Sequence, residues 1–218
     1  MTFRFHMSNQ PPDAYLLLAP GCAHCPTVLE GLSQLLKAGK LSRLEAVNIV
    51  AQPDAAEQAS VRSVPWCRIG PFELDGAQSP AELTKWTQHA TLGSGLDLYY
   101  SHLLETQRPH KVTSAIQHNP ASLIELLGLL EDTQTPMSVR IGIGVVLEDL
   151  QGNPILLHGL PSLMRLAQSN EANIRADIAH YLGLIHSDEA VALLGKLLQD
   201  EHPDVREIAA DSLEQLKG

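Results

Sequence analysis

The hexapeptide Gly21-Cys22-Ala23-His24-Cys25-Pro26 decides the fold of the N-terminal half of the chain. It follows a short apolar run at 15–19 that stops at Pro20-Gly21, a pattern that predicts a buried strand ending in a turn. After it, apolar residues recur at steps of three and four until Gly39, which predicts a helix with one apolar face. The motif therefore joins a strand to a helix, and we expect Cys22 to lie where the helix begins.

The CxxC spacing within this motif predicts a reactive dithiol. At a helix start the first sulfur lies near unpaired backbone N–H groups and the positive end of the helix dipole, while the second lies one turn inside. Such surroundings lower a thiol pKa from about 8.5 to roughly 3.5–7. We therefore expect Cys22 to be the nucleophile and Cys25 the more enclosed partner.

The following residues predict a small α/β sandwich. Strands are predicted at 44–50, 66–69 and 72–74, and helices at 55–60 and 80–89. The order β-α-β-α-β-β-α requires a parallel pair joined by a crossover, then a hairpin that completes a mixed sheet with helices on both faces.

These features together resemble the thioredoxin superfamily: a strand, CxxC at a helix N-terminus, and Ser63-Val64-Pro65-Trp66 before a hairpin. The resemblance covers residues 15–89 and implies thiol–disulfide exchange, in which Cys22 attacks and Cys25 resolves. It also implies a cis peptide bond before Pro65, which would shape the docking surface. The pair Ala23-His24 is similar to the Pro-His of bacterial disulfide oxidases, so His24 is expected to stabilise the Cys22 thiolate; the alternative is an exposed loop histidine without that role.

Cysteine chemistry offers a second interpretation, a metal site. The three cysteines, with Cys67 as the third, could bind zinc with one of ten histidines, but no second CxxC or HxxxH is present. We therefore favour redox chemistry with no metal and no cofactor, and keep a zinc or copper chaperone as the weaker hypothesis. Cys67 is expected to pack as a small buried hydrophobe, with participation in the dithiol chemistry as the alternative.

The C-terminal half predicts an all-α repeat. Three related segments occupy 137–150, 172–185 and 203–216, with Arg140, Arg175 and Arg206 at equivalent positions, and each follows an apolar helix. They resemble HEAT-like repeats over residues 119–216, which implies a helical solenoid that binds protein partners. The arginines are expected to pair structurally between helices. The predicted organisation is a thioredoxin-like domain at 1–95, a bridging helix or linker at 96–118 and a HEAT-like domain at 119–218.

Charge and hydropathy restrict the function classes. The net charge of -10 is concentrated in the second half, where residues 101–218 contain eight Lys+Arg against sixteen Asp+Glu, compared with seven against nine in residues 1–100. An acidic protein repels phosphate backbones, so nucleic acid is not an expected partner. No apolar run approaches the ~20 residues that span a bilayer, and residues 1–15 lack the apolar segment of a secretory signal, so we expect a cytoplasmic protein without a membrane association.

The sequence thus predicts a thiol–disulfide oxidoreductase that acts on a protein partner selected by the helical repeats. The alternative is a non-enzymatic protein-binding adaptor with a redox-sensitive or incidental CxxC. Partner identity, redox direction and oligomeric state remain open at this stage.

Overall fold

The computed structural model describes residues 10–216, and the chain divides into two compact units, Met1–Gly95 and Leu96–Gly218. Most of the stretch 1–15, which was predicted to lack a secretory signal, lies outside the described residues. Within the described part of the chain, every helix is too short or too polar to span a lipid bilayer.

The N-terminal unit contains a mixed four-stranded sheet with the strand order β2-β1-β3-β4. In it β1 pairs in parallel with β2, whereas β3 is antiparallel to both β1 and β4. The predicted mixed sheet with a closing hairpin is therefore present. Its elements are β1 (Asp13–Leu18), α1 (Cys25–Lys37), β2 (Arg43–Asn48), α2 (Asp54–Gln58), β3 (Trp66–Ile69), β4 (Phe72–Asp75) and α3 (Pro80–Leu92).

Helices cover both faces of this sheet. Alternate strand residues point to opposite faces, so each face has apolar side chains that a helix can bury. On one face Leu17 and Trp66, paired across β1 and β3, form a cluster that packs against Ala55 of α2. On the other face the ring of Phe72 contacts Trp86 of α3, with centroids 4.9 Å apart. Each face thus buries its own apolar layer.

The second unit is entirely helical in its described residues. Its helices are α4 (Leu96–Glu105), α5 (Pro109–His118), α6 (Leu123–Gly128), α7 (Met137–Asp149), α8 (Leu160–Leu166), α9 (Ala172–Leu182), α10 (Asp188–Leu197) and α11 (Pro203–Gln215). The three predicted repeats correspond to the pairs α6/α7, α8/α9 and α10/α11. The first helices of two repeats, α6 and α8, are preceded by 3-10 turns at Pro120–Ser122 and Pro154–Gly159.

The segment 96–118, predicted as a bridging helix or linker, contains two helices, α4 and α5. Pro109 occupies the first turn of α5, where its missing N–H needs no partner. Tyr100 of α4 donates a hydrogen bond to Ser122 at 2.8 Å, and Thr113 of α5 donates one to Asp149 of α7 at 3.3 Å. Both helices therefore belong to the core of the helical unit.

Arg175 joins the last two repeats from a buried position. Its Nε and Nη2 donate to the two carboxylate oxygens of Asp200 at 2.7 and 2.8 Å, and both side chains are 8% exposed. Its Nη1 donates to the main-chain oxygens of Ser169 and Asn170 at 2.8 and 3.2 Å, in the turn before α9. The guanidinium thus closes its own turn and binds the next repeat, the structural role predicted for it.

The equivalent arginines of the other repeats have different partners. Arg140 of α7 donates to Asp177 of α9 at 3.3 Å. Arg206 of α11 donates to the main-chain oxygens of Asp200 and Glu201 at 2.7 and 2.9 Å, which closes its own turn. All three arginines therefore hold helices or turns together.

We expect Arg175→Ala to lower the free energy of unfolding by about 3–5 kcal/mol, because it leaves the Asp200 carboxylate buried without its partner. Arg165→Ala is the matched control, since Arg165 pairs with Glu131 of the preceding repeat in an exposed ion pair and should cost about 1 kcal/mol or less. Urea denaturation measures both; equal losses would contradict a dominant role for the buried pair.

The stability that Arg175→Ala loses should depend on pH. In the wild-type protein, the hydrogen bond from Arg175 lowers the pKa of Asp200 below the ordinary value of 3.8. A carboxyl group whose pKa is lowered by folding stabilises the protein at pH values above its ordinary pKa. This contribution is lost as the pH falls toward the folded-state pKa. The stability difference between the wild type and Arg175→Ala should therefore shrink as the pH drops below about 4.

Candidate functional site

The candidate site lies where the chain leaves the central strand β1 and enters α1. Gly21 has a φ of +79°, in the left-handed region that glycine adopts readily, and it turns the chain after Pro20. Cys22 and Cys25 are joined by a disulfide with Cα atoms 5.5 Å apart. The sequence predicted Cys22 at the first helical residue, but α1 begins at Cys25, because the turn from Gly21 occupies the three residues before it.

The two sulfur-bearing residues differ in exposure. Cys22 is half-buried in the turn, whereas Cys25 is 4% exposed at the start of α1. The backbone N–H of Cys25 donates to the Cys22 sulfur, with the nitrogen 3.2 Å from Sγ. The first turn of α1 carries no acidic side chain that would offset the positive end of the helix dipole. On reduction, this end of α1 stabilises negative charge on the Cys22 sulfur.

His24 is exposed and occupies the N-cap position of α1. Its side chain makes no capping hydrogen bond, and its main-chain oxygen accepts from the N–H of Val28 at 3.4 Å. The His24 imidazole is therefore exposed to solvent, on the turn that joins Cys22 to Cys25.

Pro65 is buried directly before β3, and the Val64–Pro65 peptide bond is cis, as predicted. Because β1 and β3 are antiparallel and Leu17 pairs with Trp66, the end of β1 and the start of β3 lie at the same end of the sheet. The disulfide turn and Pro65 therefore share one end of the sheet. The Pro65 oxygen accepts a hydrogen bond from the N–H of Gly76 at 2.9 Å, which fixes this loop.

Cys67 is a free thiol that lies inside the sheet. It is 1% exposed and pairs with Leu16 of β1 and Leu74 of β4. Burial, with a smaller effect of the Asp75 carboxylate, raises the pKa of the Cys67 thiol from 9.0 to about 12. Such a thiol is neutral near pH 7, which fits packing better than exchange chemistry.

Between residues 10 and 216, no three His, Cys, Asp or Glu side chains are grouped so that they could hold a metal ion. The Cys3His set considered from the sequence is not assembled among these residues.

A groove of about 360 Å³ lies between α1 and the start of α3. Pro26, which follows Cys25 in sequence, forms part of its wall. The groove was not predicted, since it depends on how the start of α3 approaches α1. Its lining residues are Pro26, Thr27, Glu30, Gly31, Gln34 and Pro80.

Comparisons with known proteins concern the helical unit. A sequence model of the family described as HEAT repeats matches residues 160–218. The match begins at the first residue of α8 and includes Arg175 and Arg206. A search of curated proteins found no match.

We expect the reduced protein to be alkylated at Cys22 first, because this sulfur is partly exposed and faces the helix N-terminus. Cys25 should follow more slowly, and Cys67 should react at least about 100-fold more slowly than Cys22 near neutral pH. Peptide mass mapping after timed alkylation measures the order. Denatured protein is the control, in which the three rates should converge; native Cys67 reacting as fast as Cys22 would contradict the assignment.

Proposed function

We propose that the protein is a thiol–disulfide oxidoreductase with a thioredoxin-like N-terminal domain, and that its HEAT-like repeats select a protein partner. The observation that carries the proposal is the Cys22–Cys25 disulfide at the N-terminus of α1, with one half-buried and one buried residue. A pair of this kind has a sulfur that a substrate can reach and a second sulfur that it cannot.

The arrangement of the N-terminal unit supports the thioredoxin-like assignment. The dithiol follows β1, which lies between β2 and β3 in the mixed sheet, and the cis proline Pro65 directly precedes β3. Pro65 lies at the same end of the sheet as the half-buried Cys22, where it would limit how a substrate chain approaches.

The exchange reaction needs two steps. In the reduced protein, the Cys22 thiolate attacks one sulfur of a substrate disulfide, forms a mixed disulfide and releases the other substrate sulfur as a thiolate. The Cys25 thiolate then attacks the Cys22 sulfur, closes the protein disulfide and releases the second substrate thiolate. Two electrons pass from the protein dithiol to the substrate disulfide, and an external thiol reductant regenerates the dithiol.

The groove next to Cys25 supplies a place for the substrate chain. Its walls include Pro26 and Pro80, which offer apolar contact without competing N–H donors. Glu30 and Gln34 on the same groove can hydrogen-bond an extended peptide. We infer that a substrate segment lies here while its disulfide is attacked.

Direction and compartment are part of the same proposal. Reduction potentials of related dithiols extend from about -270 to -120 mV, and the reducing cytoplasm favours the reductase end of that range. We therefore propose a cytoplasmic reductase or redox sensor.

A second candidate function is a non-enzymatic adaptor, and the HEAT match at residues 160–218 favours it. In this case the helical repeats bind the partner and the dithiol is regulatory or incidental. Reduction of insulin disulfides with a regenerating dithiol reductant distinguishes the two: turnover supports the oxidoreductase, and a reversible Cys22–Cys25 disulfide without turnover supports the adaptor.

We expect Cys25→Ser to accumulate mixed disulfides with protein substrates, because the attacking sulfur remains and the resolving sulfur is gone. Cys22→Ser should trap nothing, and Cys67→Ser, the control for a third cysteine, should behave like the wild type. Non-reducing gels of cell extract detect the adducts. Equal trapping by Cys22→Ser and Cys25→Ser would contradict the assigned roles.

We expect His24→Ala to raise the pKa of the Cys22 thiol and make the disulfide less oxidising, because it removes a group able to stabilise the thiolate. Equilibration with glutathione buffers measures the potential, in which about 30 mV corresponds to a tenfold change in the equilibrium constant. Ala23→Ser is the control on the neighbouring residue. An unchanged potential in His24→Ala would remove the tuning role and leave the exchange reaction intact.

A further inference from the structure

The second helices of the three repeats carry equivalent outward positions. Aligned on Arg140, Arg175 and Arg206, these positions lie three residues before, one residue after and five residues after the arginine. We call the nine residues the repeat face: Met137, Ile141 and Val145 on α7; Ala172, Ala176 and His180 on α9; Pro203, Glu207 and Asp211 on α11.

The α7 part of the repeat face is an exposed apolar stripe. Met137, Ile141 and Val145 are 70, 62 and 38% exposed, and their spacing of four aligns them along one side of the helix. Single exposed apolar side chains are ordinary on a protein surface, whereas a row of three large ones is a feature that contact surfaces share.

The repeat face changes character along the array. On α9 the first two positions are alanines, half-buried and small, so this part is low and nearly flat. On α11, Glu207 and Asp211 are exposed, and Glu214 extends their row by one further turn. The face is thus apolar at one side and acidic at the other.

Direct contacts hold the three helices side by side. Arg140 binds Asp177 at 3.3 Å and Glu148 binds His180 at 3.1 Å, which joins α7 to α9. A Cβ added to Gly183 at the end of α9 would lie 2.7 Å from the Ser212 Cβ, so α9 and α11 are in close contact. Since packed helices lie 8–10 Å apart, the stripe and the acidic row are on the order of 20 Å from each other.

We propose that the repeat face binds a basic amphipathic helix of a partner protein. That helix lies across α7, α9 and α11: apolar side chains toward one end cover Met137, Ile141 and Val145, while Lys or Arg side chains toward its other end meet Glu207 and Asp211. The apolar contact contributes affinity, and the opposite charges set orientation and partner choice. This inference rests on the proposed partner-selecting role of the repeats and names the chemistry of the partner.

Charge argues against the other occupants. Glu207 and Asp211 repel the phosphates of nucleic acid and of anionic lipid headgroups. A second copy of this chain offers few basic groups in the helical half, with eight Lys+Arg against sixteen Asp+Glu in residues 101–218. A basic helix satisfies both parts of the face.

The test uses the full-length protein and a panel of fluorescent 18-residue helical peptides without cysteine. An 18-residue helix is about 27 Å long, enough to span both parts of the face. Each basic peptide carries leucines toward one end and lysines toward the other, and the number of residues between the two groups varies across the panel. In the matched acidic peptide every lysine is replaced by glutamate. Because the peptides lack cysteine, fluorescence anisotropy reports docking whether or not disulfide exchange occurs.

We expect basic peptides to bind, more weakly as the ionic strength rises, and acidic peptides not to bind. The double variant Met137→Gln and Ile141→Gln should weaken binding at least about tenfold. Its control, Met164→Gln and Val191→Gln, changes side chains that are 45 and 44% exposed on α8 and α10 and should bind like the wild type.

Charge reversal gives the sharper result. Glu207→Lys with Asp211→Lys should lose the basic peptide and gain the acidic one, whereas Glu125→Lys with Glu189→Lys, on α6 and α10, should change neither. Circular dichroism confirms that each variant is folded. The proposal is overturned if no peptide binds, if basic and acidic peptides bind alike, or if the repeat-face and control variants lose equal affinity. Tighter binding to phosphatidylserine vesicles, or a dimer that the α7 variant abolishes, would also overturn it.

Discussion

The N-terminal unit depends on the backbone pairing of β1, which lies between β2 and β3 and is hydrogen-bonded to both. Pairing on both edges fixes the point at which the chain leaves the strand, and the disulfide turn follows within a few residues. The antiparallel pairing with β3 brings Pro65 to the same end of the sheet. The backbone hydrogen bonds of β1 thus bring the sulfur pair and the proline to the same end of the sheet.

The helical unit is organised by side chains instead. Arg175 satisfies carbonyl groups in its own turn and a carboxylate in the next repeat, so one buried cation fixes both a turn and an interface. Because such contacts lie between the helices, the outward positions are free to differ from repeat to repeat. This freedom explains how Ile141 and Glu207, at equivalent places, have opposite character on one scaffold.

The sequence predicted those features that local patterns encode. The motif from Gly21 to Pro26 predicted a strand, a turn and a helix, and the resemblance to the thioredoxin superfamily implied the cis bond before Pro65. A separate helix α5 was not predicted, because Pro109 falls within the segment interpreted as a bridging helix or linker, although a first-turn proline suits a helix. The partners of the repeat arginines could not be predicted, since they depend on distances between helices that a repeat period does not contain. The signal for the α7 stripe was present in residues 141–147, where IGIGVVL lacks a polar side.

The unequal joints between repeats determine how the helical array comes apart. In a linear array each repeat is coupled to its neighbours alone, so unfolding free energy divides into intrinsic and nearest-neighbour terms. The joint that contains Arg175 and Asp200 is buried, whereas the link from Arg140 reaches Asp177, whose side chain is 40% exposed. We therefore expect the last two repeats to unfold together, with the weaker joint between α7 and α9.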